Sequence, residues 1–495
     1  MRCWFIRGAT SIVTIGIFWF RQDLRLRDNR ALIEACKSCD ELLPVFIDDP
    51  AEQTVSALGA ASRVWLHHSL QALQISLQEK GSDLLLASGA SLEVLEQLIE
   101  CSGATRVFWN RCYDPVTIKR DTAIKKALAE LAPKTFNGLL INEPWDNLKG
   151  DGTPYRVYTP YWRSLARTLD ANPEQLTVRP IPRSIPALAA ASVKTLKKSG
   201  MLLRLEQLNL LPSRSWHVDM MTYWQPGEQA ARRQLDRFLK TSVDDYDSGR
   251  NLPAESATSR LSPHLHFGEI SPRYVLQRLL AGRRIAQLSD DQQTFAREIV
   301  WREFAYSLIY HFPNSIDQPL DARFARFKWA RNSNTHLQAW QRGLTGVPIV
   351  DAGMRELYAT GWMHNRVRMI VASYLIKNLL IPWQSGERWF RDTLVDADLA
   401  SNSMGWQWTA GSGADAAPFF RVFNPVLQGE KFDTKGLYVK KWVPELNVVP
   451  VKYIHKPWEL DAESRAHLDY PEPLVDLKKS RQSALDAFSA IKGTK

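Results

Sequence analysis

The chain has 495 residues, of which 45% are hydrophobic and 23% are charged, a composition typical of globular proteins. Its length indicates two or three domains, and its formal net charge of +10 favours a polyanionic partner such as nucleic acid. Many basic proteins bind no nucleic acid, so the charge alone does not decide this. No apolar run approaches the roughly 20 residues that a membrane-spanning helix needs, so no membrane partner is expected.

Residues 1–14 carry two arginines, but they contain no distinct apolar segment and no small-residue cleavage site. We therefore interpret them as an N-terminal extension and not as a signal peptide. The five cysteines form no disulfide framework, and Cys36 and Cys39 make a single CxxC pair inside a helical pattern. A zinc site would need a second pair or histidines at ligand spacing, so no metal is predicted.

Residues 15–148 alternate short apolar runs with amphipathic helical patterns. The predicted strands are Thr14–Phe20, Glu41–Ile47, 83–89, Arg106–Asn110 and Thr135–Ile141. The predicted helices are Asn29–Lys37, Ala60–Glu79, 91–103 and Thr117–Leu131. This alternation predicts an α/β domain built on a doubly wound parallel sheet. No GxGxxG or P-loop motif follows any strand, so a ligand of this domain would have to be held in another way.

Residues 149–225 are interpreted as a connector between domains. Within them, residues 178–200 are rich in proline, serine and lysine, and they show too little periodicity for a helix or a strand. After Pro226, apolar residues recur at spacings of three and four, which predicts an all-helical domain over residues 226–475. Residues 476–495 are expected to form a C-terminal tail.

The segment TSRLSP, Thr258–Pro263, places hydroxyl groups and Arg260 in a turn before a helix that begins near Ser262. Backbone N–H groups at a helix N-terminus, together with hydroxyl groups and an arginine, favour phosphate. An ordinary Ser/Thr helix cap explains the same residues, and the two interpretations stay open.

Glu298, Trp301 and Arg302 lie three and four residues apart, so they share one face of a helix. Such a face is either a salt-bridged surface or the floor of a pocket for a base. From the residues alone the exposed surface is favoured, since surface ion pairs are common.

The segment WMHNRVRM, Trp362–Met369, directs Arg366 and Arg368 to opposite sides of one helix. One arginine is expected to meet phosphate in solvent while the other pairs inward with a carboxylate, for which Asp396 and Asp398 are candidates. These aspartates begin the stretch DADLASNSMGWQW, which also holds an asparagine and two closely spaced tryptophans. The stretch indicates a polar pocket lined with aromatic rings, but its spacing alone names no reaction.

In these motifs the chain resembles the photolyase/cryptochrome family of flavoproteins, and most of all the bacterial photolyases that repair cyclobutane pyrimidine dimers. The resemblance runs from Phe18 to Leu446, and its segments include FWFRQDLRLRDNRAL, WREF, TGVPIVDAGMRELYATGWMHNRVRM, DADLASN, WQW and FNPVLQGEKF. It implies an α/β antenna-binding domain joined to a helical FAD-binding domain, in agreement with the fold predicted above. It also implies a carbon–carbon lyase that uses blue light to repair dimers in UV-damaged DNA.

The resemblance implies a non-covalent FAD, reduced in the active form, in the helical domain. The residues expected to hold it are Tyr246, Thr258, Ser259, Arg260, Leu261, Ser262, Arg302, Arg368, Asp396, Ala397, Asp398 and Asn402. Tyr246 and the 258–262 turn match phosphate-binding positions, and Arg368 is expected to pair with Asp396. Asn402 matches the residue that faces flavin N5, where an amide can hydrogen-bond the protonated nitrogen without supplying a proton. An asparagine there fits repair and not signalling.

The resemblance also implies a pocket for a dimer that has been flipped out of the duplex, since photolyases are among the enzymes that extrude their target base from the stack. The residues expected to contact the lesion or the DNA are Arg250, Glu298, Trp301, Asn365, Arg366, Met369, Trp408 and Gln428. Glu298 would hydrogen-bond the damaged bases, and Trp301 and Trp408 would stack on them. Excited FAD would donate an electron to the dimer and receive it back, so no nucleophile or metal is required.

Three tryptophans, Trp406, Trp383 and Trp329, match the chain that photoreduces the flavin in the family. Together with Glu298 and Asn402 they are the residues expected to take part in the photochemistry. The loop after Trp329 is one residue longer than in some relatives.

Two other functions are compatible with the resemblance. Photolyases for (6-4) lesions typically show HHLARH where this chain has HNRVRM, so Asn365 and Met369 stand in place of histidines and favour repair of cyclobutane dimers. Cryptochrome photoreceptors are the second alternative. Asn402 and the short tail after Pro473 argue against a signalling role.

A second, antenna chromophore is expected in the N-terminal domain. Asp114 stands where folate-binding relatives place an acid, which favours methenyltetrahydrofolate over 8-hydroxy-deazaflavin. The resemblance further leads us to expect a monomer located in the bacterial cytoplasm.

Overall fold

The computed structural model describes residues 13–50, 57–331, 333–416 and 420–492. Apart from its last two positions, the predicted N-terminal extension lies outside these ranges.

A five-stranded parallel sheet forms the centre of the N-terminal domain, with the strand order β3-β2-β1-β4-β5. The strands are β1 Ile15–Phe20, β2 Glu41–Asp48, β3 Leu85–Ser88, β4 Arg106–Asn110 and β5 Lys134–Phe136. The intervening helices are α1 Arg30–Ser38, α2 Ala60–Gln78, α3 Ser91–Ser102 and α4 Pro115–Ala127. Because the strand order reverses between β1 and β4, the sheet is doubly wound, as the sequence predicted.

Both faces of the central strand β1 are buried. Phe18 and Phe20 pack in one apolar cluster with Trp65 of α2, whereas Trp19 packs in a second cluster with Leu95 of α3. Successive side chains of a strand point to opposite faces, so a sheet covered on both sides requires a continuous apolar run.

The last strand is shorter than the predicted strand Thr135–Ile141, because the chain leaves the sheet after Phe136. The backbone N–H of Ile141 donates to the Glu303 carboxylate at 2.7 Å, and the Ile141 carbonyl accepts from Arg273 at 2.9 Å. The predicted extent of this strand is therefore wrong: its final apolar residues are buried against the helical domain instead.

The predicted connector contains three helices, α5 Tyr158–Ala171, α6 Ala190–Lys198 and α7 Trp216–Met221. The prediction that residues 178–200 hold no regular element is therefore wrong. Helix α6 packs against α3, and its side chain Leu196 is fully buried in an apolar cluster with residues of α3. A helix of 9 residues has little stability of its own, so packing against α3 decides its conformation and its local sequence signal is weak. The domain boundaries themselves stay predictions.

The remaining described chain is helical and contains no further strand, which confirms the predicted helical domain. Its helices are α8 Glu228–Thr241, α9 Tyr246–Gly249, α10 Ser262–His266, α11 Pro272–Leu280, α12 Asp290–His311, α13 Asn334–Gln341, α14 Pro348–Thr360, α15 Asn365–Ser373, α16 Trp383–Thr393, α17 Leu399–Ala410, α18 Pro425–Phe432, α19 Leu437–Trp442, α20 Ala462–Ala466 and α21 Leu477–Lys492. The 22-residue α12 packs against α5, α9, α11 and α17. Within the described ranges, no helix is both long and apolar enough to span a membrane.

Most of the predicted C-terminal tail is the helix α21. Its side chains Ala484 and Ile491 are buried in a cluster with Phe324 and Phe420. The side-chain amide of Asn378 donates to the Ser480 hydroxyl at 2.9 Å. Apolar residues at helical spacing therefore fasten this segment to the helical domain.

Candidate functional site

A cavity of about 600 Å³ lies inside the helical domain between α10, α12, α15 and α17. Every residue predicted to hold a cofactor lines it: Tyr246, Thr258, Ser259, Arg260, Leu261, Ser262, Arg302, Arg368, Asp396, Ala397, Asp398 and Asn402. Most of the residues predicted to contact a lesion line the same cavity: Arg250, Glu298, Trp301, Asn365, Met369 and Trp408. The two predicted sets are thus parts of one continuous space.

Arg260 supplies positive charge to the cavity wall. Its guanidinium lies 4.2 Å from the ring centroid of Trp224 and 4.8 Å from that of Trp362. No carboxylate of the described residues is within ion-pairing distance of it, and its buried Nε has no hydrogen-bond partner there. Arg260 also has a φ of 50°, in the left-handed region that residues with a Cβ rarely adopt. The unpaired cation is available to an anionic ligand.

No side chain caps the helix that follows this turn. The N-cap position of α10 is Leu261, and no side-chain cap hydrogen bond forms there. The Ser259 hydroxyl accepts from the backbone N–H of Leu261 at 3.4 Å, and the Ser262 hydroxyl accepts from the Trp362 indole at 3.3 Å. The ordinary Ser/Thr cap, which the sequence left open, therefore does not form at the N-terminus of α10, and the Ser259 hydroxyl stabilises the turn one step before it.

Arg368 and Asp396 form the ion pair that the sequence predicted. The Arg368 Nη2 donates to both Asp396 carboxylate oxygens, at 2.8 and 3.1 Å, while its Nε donates to the Met363 carbonyl at 2.8 Å. Arg366 points away and donates to the Asn251 side-chain oxygen at 2.5 Å. The helix thus directs its two arginines to different sides, as expected.

Asp398 is buried and fixed by several groups. It caps α17 by accepting from the Ser401 backbone N–H at 2.8 Å, and it accepts from the Tyr306 hydroxyl at 2.5 Å. Burial alone would raise the pKa of this carboxyl, but the adjacent His266 ring and the Arg302 guanidinium outweigh burial and hold the pKa below its ordinary value. The cavity therefore keeps a carboxylate at this position.

Asn402 is oriented by Glu387 of the preceding helix. Its Nδ2 donates to the Glu387 carboxylate at 2.9 Å and to the Glu387 carbonyl at 3.1 Å. Arg391 in turn holds Glu387, with its Nε donating at 3.1 Å. The carbonyl oxygen and the carboxylate oxygen of Glu387 can only accept hydrogen bonds, so the Asn402 amide must turn its nitrogen towards them. The Oδ1 of Asn402 then remains free to accept a hydrogen bond from another group.

Arg302 is buried and reaches both domains. It donates to the Leu139 carbonyl at 2.9 Å and to the Leu265 carbonyl at 3.3 Å. Its guanidinium lies 4.9 Å from the Tyr306 ring centroid, and its Nε has no partner among the described residues. Arg302 is therefore a fixed, positively charged part of the cavity wall and not a flexible surface side chain.

At the mouth of the cavity, Glu298 accepts from Arg250 at 2.6 Å. Trp301 stacks on Tyr158 with ring centroids 3.6 Å apart and an interplanar angle of 10°. Glu298 is thus ion-paired, but it lines a cavity together with Trp301 and Arg302. The interpretation of this helical face as an ordinary exposed surface is therefore wrong. The local sequence could not reveal the facing elements that enclose it.

Trp406, one of the three tryptophans predicted to relay electrons, is buried and lines the cavity, and its indole Nε1 has no hydrogen-bond partner among the described residues. Trp383 is also buried and lies in the same apolar cluster, and the half-buried Trp329 packs against that cluster. Neither Trp383 nor Trp329 lines the cavity.

Gly386 permits the close approach of α16 to Trp406. A Cβ added to Gly386 would lie 2.1 Å from Trp406 Cη2, which no real packing allows. The sequence offered no sign of this requirement.

Two predicted DNA contacts lie outside the cavity lining, Arg366 on α15 and Gln428 on α18. The helix α15 that carries Arg366 is capped by His364, whose Nδ1 accepts from the Arg366 backbone N–H at 3.2 Å. Burial, followed by the neighbouring arginines, lowers the pKa of His364 to about 3, so the neutral ring caps the helix.

Sequence reasoning missed several side chains that shape the cavity: His266, Tyr306, Trp362 and Glu387. His266 is 3% exposed, and its Nδ1 lies 3.9 Å from the Asp398 carboxylate. Of these four, only Trp362 had a sequence signal: it begins the motif WMHNRVRM, from which Asn365, Arg366, Arg368 and Met369 were predicted as site residues. No cluster of three or more potential metal-binding side chains occurs in the described ranges.

Known proteins share both the sequence and the fold of this chain. Residues 16–183 match the DNA photolyase family, and residues 295–490 match the FAD binding domain of DNA photolyase. The deoxyribodipyrimidine photo-lyase of Agrobacterium fabrum is 48% identical over 488 residues, which cover 97% of this chain and 98% of that protein. The protein of the same name from Escherichia coli is 38% identical over 486 residues, which cover 97% and 99%. The crystal structure of a bacterial class III photolyase from Agrobacterium tumefaciens gives a TM-score of 0.90 at 45% identity, covering 99% of this chain and all (100%) of that one.

Proposed function

The chain belongs to the photolyase/cryptochrome family, and from this premise we propose that it is a light-driven carbon–carbon lyase that repairs cyclobutane pyrimidine dimers in DNA. The observation that carries the proposal is the single cavity that unites two kinds of wall. Charged groups such as Arg260, Asp396 and Asp398 line one part, and the aromatic rings of Trp301 and Trp408 line another. The cavity therefore suits a charged cofactor and a planar base at the same time.

The cofactor is FAD, and the charged part of the cavity fits it. The free guanidinium of Arg260 and the hydroxyl groups of residues 258–262 supply donors for its phosphates. The carboxylate of Asp396, already neutralised by Arg368, can accept a hydrogen bond from the flavin or from a hydroxyl group. When bound and reduced, FAD supplies the light-excited electron that splits the dimer.

Asn402 is proposed to face the flavin N5. Because the amide nitrogen of Asn402 donates to Glu387, the Oδ1 of Asn402 is the atom proposed to accept a hydrogen bond from the ligand. An oxygen accepts a hydrogen bond from a protonated N5 and has no proton to give. This orientation supports the maintenance of reduced flavin, as repair requires.

The mouth of the cavity is proposed to receive the flipped-out dimer. A distorted lesion is extruded at less cost than an intact base pair, and it is then held by stacking and by hydrogen bonds to its edges. Trp301, held rigid by Tyr158, and Trp408 are proposed to stack on the dimer. Glu298 is proposed to bind its edge. Since Glu298 is paired with Arg250, lesion binding would exchange part of that ion pair for contacts to base and phosphate.

The walls beside the mouth are proposed to position the DNA strand. Asn365 and Met369 line the cavity, and Arg366 and Gln428 lie outside its lining on α15 and α18. Arginine contacts to phosphate add affinity without sequence preference, which agrees with the net positive charge of the chain. Repair of a lesion in any sequence context requires this kind of binding.

Trp406, Trp383 and Trp329 are proposed to deliver electrons from the protein surface to the cavity. Their common apolar cluster supports the proposal, because it places the half-buried Trp329, the buried Trp383 and the cavity-lining Trp406 in one packed region of the helical domain. Trp329 is the outermost of the three, being only half-buried.

A second, antenna chromophore is proposed, with methenyltetrahydrofolate favoured over 8-hydroxy-deazaflavin. Asp114, the acid that motivated the folate, accepts from the backbone N–H groups of Val116 and Thr117 at 3.1 and 3.0 Å and so caps α4. This cap accounts for an acid at position 114 without a chromophore. The choice of folate therefore rests on the resemblance alone, and absorption spectra of released cofactors would test it. The monomeric state and the cytoplasmic location also stay predictions.

One assay tests the proposed function. The chemically reduced, FAD-loaded protein is incubated with oligonucleotides containing cyclobutane dimers or, separately, (6-4) lesions, in blue or near-UV light and in the dark. We expect light-dependent restoration of the cyclobutane dimers only. Repair of the (6-4) lesion alone would assign the chain to the other photolyase class. Absence of both repairs in a protein that photoreduces its flavin normally would favour a photoreceptor.

A further inference from the structure

A second cavity, of about 490 Å³, lies where the end of β5 meets α1, α5 and α11. Three arginines line it: Arg30 of α1, Arg111 after β4 and Arg273 of α11. None of the residues assigned above to the flavin, the lesion or the electron relay lines this cavity. It is therefore a separate feature of the molecule.

Buried polar atoms without partners are concentrated in this lining. The Nε atoms of Arg30, Arg111 and Arg273 and the Oε1 of Gln175 are all buried, and none has a hydrogen-bond partner among the described residues. Arg273 itself is only 2% exposed. Its terminal nitrogens donate to the Asn137 carbonyl at 3.3 Å and to the Ile141 carbonyl at 2.9 Å, which leaves its positive charge without a carboxylate partner. Native proteins pair nearly all such atoms with protein, water or a ligand, so these four leave three donors and one acceptor open to a molecule in the cavity.

The charges of the lining are only partly balanced by the protein: Asp28 and Glu303 attract Arg273, but neither forms an ion pair with it in the described part of the chain. Arg30 makes no ion pair and no side-chain hydrogen bond with any described residue. Burial, followed by the charge of Arg30, lowers the pKa of Arg273 to about 10, so the two guanidinium groups oppose each other. Arg111, in contrast, is paired with Glu143 and donates to the Thr135 carbonyl at 2.7 Å. An anion between Arg30 and Arg273 would relieve their repulsion and give both a charged acceptor.

The opposite part of the lining is acidic. Glu143 accepts from Tyr113 at 2.7 Å as well as from Arg111. Burial and the charge of Glu143 raise the pKa of the neighbouring Asp146. A ligand that fits both parts carries an anionic group at one end and a hydrogen-bond donor at the other. The volume of the cavity falls within the range of about 300–1,000 Å³ that small-molecule sites occupy, and it exceeds the needs of a single inorganic ion.

We propose that this cavity binds a small organic anion, whose carboxylate or phosphate group is held by Arg30 and Arg273. The site is independent of the proposed lyase activity, since neither arginine touches the flavin cavity. Arg111, already paired with Glu143, shapes the wall and orients the acidic part.

Isothermal titration calorimetry of the FAD-loaded full chain tests the proposal, with inorganic phosphate, citrate and a folate as separate probes at constant ionic strength. We expect saturable binding of at least one probe. Arg30→Gln should weaken that binding roughly tenfold or more, because it removes one charge-assisted contact. Competition between probes distinguishes a phosphate ligand from a carboxylate ligand. The Arg30 side chain makes no hydrogen bond or ion pair with any described residue, so its replacement is expected to leave the fold intact.

Arg163→Gln is the matched control, since Arg163 is exposed on α5 and lies outside the lining. Its affinity for each probe should equal that of the unmodified protein. Arg273→Lys provides a second variant that keeps the charge but loses the planar donor set, and it should also weaken binding. Absence of saturable binding by all three probes, or equal binding by Arg30→Gln and the unmodified protein, would overturn the proposal.

Discussion

At the scale of the residue, Arg260 shows how a single side chain is prepared for a ligand. Two tryptophan rings hold its guanidinium in place, and no carboxylate of the described residues pairs with it. Its left-handed backbone conformation is unfavourable for a residue with a Cβ. Such strain persists where the surrounding structure enforces it, and it is frequent at ligand sites. The arrangement supports a role for Arg260 in holding the phosphates of FAD.

We expect Arg260→Gln to weaken FAD binding roughly 10- to 100-fold, because a hydrogen bond to a charged group contributes about 1.5–3 kcal/mol. Titration of the apoprotein with FAD, followed by the fluorescence of the free flavin, measures the dissociation constant. Arg388→Gln replaces an exposed arginine of α16 and should leave the constant unchanged. Equal affinities of the two variants would contradict the assigned role.

Trp406→Phe separates electron supply from repair. Loss of the indole should slow photoreduction of the bound flavin several-fold, whereas protein whose flavin has been reduced chemically should still repair dimers. Absorption spectra recorded during continuous illumination give the rate of flavin photoreduction. Restoration of dimer-containing oligonucleotides gives the rate of repair. Trp458→Phe, outside the cluster that contains Trp406, serves as the control. Loss of repair in the chemically reduced Trp406 variant would show that this ring acts in another way.

At the scale of the element, the contact between α16 and α17 positions the centre of the site. Helix α16 carries Glu387, which orients Asn402, and Gly386, which lies against the Trp406 ring. Both Asn402 and Trp406 belong to α17. A change in the distance between these helices would therefore disturb the proposed N5 contact and the proposed electron relay together.

We expect Gly386→Ala to lower the free energy of unfolding by about 1–3 kcal/mol, because the added methyl group overlaps the Trp406 indole and the helices must separate. Thermal unfolding at saturating FAD measures the effect. Gly150→Ala is the control, because a Cβ there meets nothing within 4 Å and Gly150 lies outside the lining of both cavities, so the melting temperature should stay nearly unchanged. An unchanged melting temperature for Gly386→Ala would refute the close packing.

At the scale of the whole molecule, residues 137–141 join the two domains. Arg273 and Arg302 of the helical domain donate to carbonyl groups of this segment, and Glu303 accepts from the backbone N–H of Ile141. The segment therefore passes between the flavin cavity and the second cavity. Because these contacts are buried and charged, the stability of the domain junction should respond to pH.

Burial raises the pKa of Glu303 from an ordinary value of 4.5 to about 7. The folded protein holds this proton up to a higher pH than the unfolded chain, so the free energy of unfolding falls as the pH rises from about 4.5 to about 7. Glu303→Gln keeps an acceptor for Ile141 and removes the titration. We expect the variant to lose less stability than the unmodified protein between about pH 5 and about pH 8, by on the order of 1–3 kcal/mol.

Melting temperatures at the two pH values check this expectation. Glu96→Gln changes an exposed glutamate of α3 and should reproduce the pH dependence of the unmodified protein. The same pH dependence in Glu303→Gln would mean that Glu303 does not titrate in this range.

The order of strands and helices in the N-terminal domain could be predicted from the sequence, because apolar runs and helical spacing are properties of neighbouring residues. The family could also be predicted, since motifs such as DADLASN and FNPVLQGEKF are long and specific. For the same reason, many of the residues that line the cavity could be named in advance. Helix α6 and the end of the predicted strand Thr135–Ile141 could not, because contacts with distant elements decide their conformation.

Only the tertiary structure decided how the stretch that begins at Asp396 is held. The sequence by itself determined that its aspartates, Asn402 and Trp406 lie close together, since they follow one another along the chain. It did not determine which atom of the Asn402 amide faces the cavity, because that depends on Glu387, nor that Arg260 lies between Trp224 and Trp362. These contacts join residues that are far apart in the chain, and the packing of the helices brings them together.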